Sequence, residues 1–293
     1  MLIRKTAASL LSFALLIPAT LLSAQQATTP APASAPSADL AGIAHVAIRV
    51  KDLDTSVAFY EKLGFVRAFA LSRDGKVYEA FIKINDHQFL ELYPVDEKNT
   101  QIGFLHVCFY GNDLQSVHDY YVAHGLTPKD VRTAGAGNLL FTMPGPATPT
   151  GPQNMEYTQY MPASMHSKAI GQFLGPDRIA THLIEVAIAF DDPSAASAFY
   201  RDKVGFIPEQ AGPVPQPGFP TLFGVPGNPA ESIRIESNRE VGIRARITFA
   251  ADPVTAAKTL TQRGVPFTQN ARYGTRDLLL RDPDGNEIFL RGK

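Results

Sequence analysis

The feature that most constrains this chain is that it repeats itself. Residues 46–65 read Val-Ala-Ile-Arg-Val-Lys-Asp-Leu-Asp-Thr-Ser-Val-Ala-Phe-Tyr-Glu-Lys-Leu-Gly-Phe, and residues 186–206 read Val-Ala-Ile-Ala-Phe-Asp-Asp-Pro-Ser-Ala-Ala-Ser-Ala-Phe-Tyr-Arg-Asp-Lys-Val-Gly-Phe. Each copy predicts a strand, an acidic helix start, a helix that buries an aromatic pair, a Gly stop and a new strand. Asp52 or Asp54 suits the N-cap and Gly64 the left-handed residue after the helix, while Phe59 and Leu63 share one apolar stripe. Two weaker copies run from His106 to Gly125 and from Ala245 to Gly264. Placing each strand on the Asp that follows it aligns positions 45, 106, 185 and 245, at intervals of 61, 79 and 60 residues. The long middle interval contains Pro162 to Pro176 and reads as the connection between two paired halves. In the first copy three more strands are expected at 65–71, 77–84 and 88–93, with turns at Asp74-Gly75 and Asn85-Asp86. The class is therefore α+β, with a βαβββ module used four times.

A length of 293 residues allows one large or two ordinary domains, and a net charge of −1 with scattered charges carries no nucleic-acid footprint. Arg4 and Lys5, the apolar run Ala7 to Leu22 and the small pair Ser23-Ala24 have the order of a secretory signal peptide over 1–24. The expectation is a secreted or periplasmic protein, free of the membrane after cleavage, with a disordered Pro- and Ala-rich linker over 25–40. A first domain then spans 41–161, a linker 162–179 and a second domain 180–293. Cys108 is the only cysteine, so no internal disulfide forms. It shares a strand face with His106 and reads as a small buried residue that at most lines the substrate space.

Four residues carry the chemistry. His45 and His106 each open an apolar strand, and each is followed, 46 and 50 residues on, by a carboxylate inside another strand, Glu91 and Glu156. An ionised Glu on an inner strand face is costly without a counter-charge or hydrogen bonds. Two imidazoles and two carboxylates, offered in the same order by two repeats, point to one divalent metal ion of unspecified identity among Fe, Zn, Ni, Mn and Co. Arg49, four residues from His45 on the same face, could clamp a substrate carboxylate. Tyr93, Thr158 and Tyr160 share the parity of the ligand faces and are candidates to line the cavity with Cys108.

A βαβββ module that begins His-Val-Ala-Ile and runs through Ser-x-x-Phe-Tyr and Leu-Gly-Phe resembles the vicinal oxygen chelate superfamily of glyoxalases, bleomycin-resistance proteins and extradiol dioxygenases. Asp282-Pro-Asp-Gly-Asn-Glu-Ile-Phe-Leu near the end matches that family's last hairpin, and the resemblance extends over residues 43–293. It implies four modules paired into two incomplete β-barrels. By position His45, Glu91, His106 and Glu156 match the family's metal ligands. The full set resembles glyoxalase I, which implies a lyase or isomerase that chelates vicinal substrate oxygens, with Glu156 or Glu91 as the catalytic proton carrier. The subset His45, His106 and Glu156 resembles Fe(II) extradiol dioxygenases, and a non-catalytic small-molecule binding or resistance protein is a third expectation. Some glyoxalases use an Arg at the offset of Arg49 for glutathione. Val95 stands where glyoxalase I offers an Asn to that ligand, and this departure weighs against glutathione conjugates.

In the second half the aligned positions are Glu185, Ala245 and Phe289, with Glu236 a conceivable partner of Glu185. Ala and Phe cannot ligate, so this half is expected to be structural, and His182, out of phase with Glu185, to serve surface or packing. The partner is a small molecule, and the chain is a monomer or homodimer. Pairing of the modules in sequence order would gather all four ligands in one cavity.

Overall fold

The computed structural model describes residues 38–210, 218–219, 221–237, 244–270 and 276–292. The expected signal peptide and most of the linker lie outside them. The linker's last residues are part of the fold, because Ala38 and Leu40 are buried and the first strand begins at Leu40.

The first half runs β1 (Leu40–Val50), α1 (Leu53–Lys62), β2 (Val66–Arg73), β3 (Lys76–Lys83), β4 (Phe89–Pro94), β5 (Gly103–Gly111), α2 (Leu114–Ala123), β6 (Arg132–Thr133), β7 (Leu139–Thr148) and β8 (Gly151–Gln159). A one-turn helix, α3 (Met165–Lys168), lies in the connection. The second half runs β9 (His182–Phe190), α4 (Pro193–Phe199), β10 (Ile207–Glu209), β11 (Leu222–Val225), β12 (Asn228–Ser237), β13 (Arg246–Ala250), α5 (Pro253–Gln262), β14 (Thr268–Asn270), β15 (Asp277–Arg281) and β16 (Glu287–Arg291). The four βαβββ modules are present. No helix among the described residues is long and apolar enough to cross a membrane.

One capping device is used four times. Asp52, Asp113, Asp192 and Asp252 each accept backbone N–H bonds at the start of the helix after the first strand of a module. These bonds satisfy donors that a helix start leaves without partners. Of the two expected caps for α1, Asp52 holds the position. Gly64 follows α1 at φ +88, and a Cβ there would also collide with the backbone of Asp177 and Arg178. The 186–206 copy has one residue more than the 46–65 copy, and α4 absorbs it as a π-helical turn over Tyr200–Val204.

Each half is one eight-stranded sheet, in the order β2-β3-β4-β1-β5-β8-β7-β6 and β10-β11-β12-β9-β13-β16-β15-β14. Modules therefore pair in sequence order. In the first sheet β1 runs antiparallel to β5, and each is flanked by a parallel partner, β4 or β8. The strands bearing His45, Glu91, His106 and Glu156 are the four adjacent central ones. One sheet face of each half feeds a common apolar core, in which Phe65 meets Phe249 at 5.5 Å and Phe109 meets Phe206 at 5.0 Å. The other face of the first sheet holds a small separate cluster, including Phe81, Phe89, Cys108 and Tyr160.

Candidate metal centre

Strand register brings the ligand candidates together. Ala47 lies between Glu91 on β4 and His106 on β5, while Cys108 lies between His45 on β1 and Glu156 on β8. Alternation then sends the two imidazoles and two carboxylates to one face, while Val46 and Ile48 enter the core. His45 and Glu91 are 2% and 3% exposed, so water does little to solvate them.

The side chains converge on a point. His45 Nε2 lies 3.1 Å from His106 Nε2 and 3.3 Å from Glu156 Oε1, and the other Glu156 oxygen is 3.8 Å from His106 Nε2. Two nitrogens bound at about 2.1 Å and at right angles to a common ion would be about 3.0 Å apart, so the imidazole spacing suits one ion. The donor atoms of His45, His106 and Glu156 all fall within 4.8 Å of one another, and this trio forms a group that can hold a metal. Burial lowers the His45 pKa to about 3 and that of His106 to about 4, the latter against the opposing charge of Glu156. Both rings are thus neutral, the form that ligates.

Glu91 stands differently. Its Oε1 is 3.1 Å from His45 Nδ1, the nitrogen turned away from the trio, and its Oε2 is 4.0 Å from His106 Nε2. The contact with Nδ1 is close but without hydrogen-bond alignment, so this buried nitrogen has no hydrogen-bond partner. A carboxylate behind the distal nitrogen of a ligand histidine is the arrangement that fixes its tautomer. Behind Glu91 is a group the sequence reading missed. Tyr93 donates its hydroxyl proton to Glu79 Oε1 at 2.6 Å and approaches Glu91 Oε2 at 3.2 Å. Burial raises the Glu79 carboxyl to about 7, and burial together with the charges of Glu79 and Glu156 raises Glu91. Glu79 shares the strand parity of buried Phe81 on β3, and that alternation was its available signal.

Beside these groups is a cavity of about 220 Å³, lined by Glu79, Glu91, Tyr93 and Glu156 with Phe81, Leu140 and His166. Of the substrate-facing candidates only Tyr93 is among its lining residues. Arg49 opens instead onto a second cavity of about 230 Å³ with Gln101, Leu105 and Asn154. Cys108 is fully buried beside Glu156, and burial first, then the charge of Glu156, pushes its thiol up. Thr158 is buried and bonded to Asn138 and the Leu139 carbonyl. Tyr160 donates to the His87 carbonyl and stacks on His166. These three support the wall from behind.

The second sheet corrects the expected alignment. Glu185 faces Thr248 and Ala187 faces Arg246, as His45 faces Cys108 and Ala47 faces His106. The counterpart of His106 is therefore Arg246, not Ala245. Seven residues separate His106 from its capping Asp113, but only six separate Arg246 from Asp252. Counting back from the cap thus errs by one residue and selects the wrong strand face. By the same register Arg234 takes the place of Glu91 and Phe289 that of Glu156. Arg234 makes two bonds to Glu185, at 2.9 and 2.7 Å, and Arg291 adds a third at 3.0 Å. Burial pushes Glu185 up, but Arg234 and Arg291 outweigh it and hold the carboxyl below its usual range. Glu236, expected beside Glu185, pairs with Arg246. His182 is partly exposed and pairs with Glu231 at 2.8 Å.

The sequence profile of the Glyoxalase/Bleomycin resistance protein/Dioxygenase superfamily matches residues 42–155. The match lies within the first half of the chain, over both of its modules. Among solved structures, the 2,3-dioxygenase LapB from Pseudomonas sp. KL28 aligns with TM-score 0.60 at 14% identity, over 88% of this chain and 94% of that one. The Mn(II)-bound glyoxalase from Novosphingobium aromaticivorans aligns with TM-score 0.60 at 13% identity, over 87% and 82%. An extradiol ring-cleaving dioxygenase from B. fuscum aligns with TM-score 0.61 at 14% identity, over 90% and 74%. At such identities the likeness is one of fold alone, and it covers both halves. No curated protein matches in sequence.

Proposed function

We propose that the chain is a metal-dependent ring-cleaving dioxygenase of the extradiol type, with His45, His106 and Glu156 as the metal-holding triad. The observation that carries this reading is the placement of Glu91 behind His45 Nδ1, 3.1 Å away, rather than among the converging donor atoms. Two histidines and one carboxylate leave positions open for substrate oxygens and suit Fe(II). When bound, such an ion supplies Lewis-acid and one-electron chemistry to a chelated diol. The chain's own residues do the rest. Glu91 stands behind the His45 ring at 3.1 Å, Tyr93 ties Glu91 to Glu79, and Phe81 and Leu140 present an apolar wall to an aromatic ring.

Both dioxygenases and the glyoxalase named above share this fold, so the donor set must decide between them. The lyase or isomerase reading needs Glu91 as a fourth ligand. The test is oxygen uptake by Fe(II)-loaded protein with catechols, alongside hemithioacetal turnover. Ring cleavage that survives Glu91→Gln at saturating Fe(II) and vanishes with Glu156→Gln supports the triad. Hemithioacetal turnover lost with either substitution, and no oxygen uptake, would overturn it. Export is a further part of the proposal, supported by the charged, apolar and small-residue order of residues 1–24. Mass spectrometry of the protein recovered from a secreting bacterial host should find an N-terminus near Gln25.

A further inference from the structure

The connection between the halves carries one buried group that neither the fold nor the triad explains. His166, on α3, is 2% exposed, and both of its ring nitrogens lack a hydrogen-bond partner. Tyr160 stacks on the ring at 4.4 Å, while Phe69, Phe81 and Phe89 meet it edge-on at 5.1, 5.3 and 5.1 Å. The ring's remaining neighbourhood is the cavity beside the triad, which it lines together with Glu79, Glu91 and Glu156. Burial lowers its pKa to about 3, so it offers one donor and one acceptor. A phenyl ring would fill such an aromatic box without leaving two polar atoms unpaired. An imidazole there makes physical sense when a ligand completes it, and the soft terminal torsion of histidine lets the ring turn a nitrogen toward the cavity.

We propose that His166 is a substrate-binding residue, hydrogen-bonding a hydroxyl of a small aromatic diol seated in this cavity. The substrate class rests on the ring-cleaving reading. It also fits a volume of about 220 Å³, ample for an aromatic ring, and a wall that includes Phe81 and Leu140. The segment is well anchored for this work. Lys83 donates its ammonium to the Ala169 carbonyl, and Gly171 N–H donates to Asp86 at 2.8 Å.

The experiment is a spectral titration of the Fe(II)-loaded full chain with 4-nitrocatechol under nitrogen, on wild type, His166→Phe and His166→Gln, with metal content and melting temperature measured for each. The expected result is at least tenfold weaker binding by His166→Phe, partial recovery by His166→Gln, unchanged metal content, and a ligand-free melting temperature for His166→Phe no lower than that of wild type. Equal affinity in all three proteins would overturn the role of His166 while leaving the ring-cleaving reading intact. Weaker binding with lost metal, or with a lowered melting temperature and no recovery in His166→Gln, would overturn it in favour of a structural role. Failure of the wild type to bind the probe would overturn both the substrate class and the ring-cleaving reading.

Discussion

The two nitrogens of His45 separate the roles of the two carboxylates near it. Glu156 sits on the Nε2 side, where His106 also points, and Glu91 sits on the Nδ1 side. Removing a ligand and removing an orienting group should therefore differ in degree. Glu156→Gln is expected to strip the metal, whereas Glu91→Gln and Tyr93→Phe should keep a full equivalent at saturation but bind it about 10- to 100-fold more weakly. Isothermal titration with Mn(II) measures this, and equal losses in Glu156→Gln and Glu91→Gln would return Glu91 to the ligand set. His166 supplies a pH test. Its folded pKa is lowered to about 3 by burial, below an unfolded value of about 6.5. Between these values the unfolded chain binds a proton that the folded chain does not, so this histidine's contribution to stability falls as pH falls. Wild type should lose stability relative to His166→Phe from pH 6.5 downward, by up to about 1.4 kcal/mol per pH unit. Glu79, raised to about 7, has the opposite slope, but it is common to both proteins and cancels in the difference. Urea denaturation of the metal-free pair at pH 7 and pH 5 checks the sign.

At the scale of elements, the last hairpin shows how one loop serves both halves. Asp282 accepts the backbone N–H groups of Asp284 and Asn286 at 3.0 and 2.8 Å, which shapes the turn. Its other oxygen accepts from the Asn286 side chain and from Tyr60 on α1, in the first half. Lys51 N–H reaches Asp284, and Ala245 N–H reaches Asn286. Tyr60→Phe removes one partner and should cost about 1 kcal/mol, while Asp282→Ala leaves several buried donors unmet and should cost more, about 2–4 kcal/mol. Chemical denaturation measures both, and equal costs would mean that the loop is held by other groups. The elements themselves were readable in the sequence because each of the four module helices announces itself with a capping Asp and a Gly stop. The His45, Glu91, His106 and Glu156 set was readable for a related reason, since ionisable residues inside apolar strands stand out. Two things were not readable. Arg246 was hidden by a single missing residue between strand and cap. His166 was hidden because a one-turn helix in a connection has no periodicity that tells a buried face from an exposed one.

At the scale of the whole molecule, the halves share one architecture and opposite solutions to the same electrostatic problem. A buried carboxylate on the inner strands needs a positive partner. In the first half Glu156 meets two neutral histidines, a set that a metal cation would complete. In the second half Glu185 meets Arg234 and Arg291, and Arg246 meets Glu236 and Glu287, so the cations are covalently part of the chain. The chain should then bind one divalent ion, not two, and elemental analysis after dialysis gives that ratio. The second half should also respond to mutation as an ion-pair network. Arg234→Met alone leaves Glu185 short of two bonds in a site 3% exposed and should destabilise the fold by about 3–5 kcal/mol. Glu185→Leu combined with Arg234→Met removes both charges, but it costs Arg291 one of its two carboxylates and leaves it Asp277 at 2.9 Å. The double variant should therefore recover part of the loss and not all of it, with full recovery expected only when Arg291 and Asp277 are also replaced by apolar residues. Because one core runs through both halves, the same series read by metal affinity tests their coupling. A destabilised second half should lower the melting temperature of the whole chain in a single transition, and two separate transitions would show that the halves fold independently.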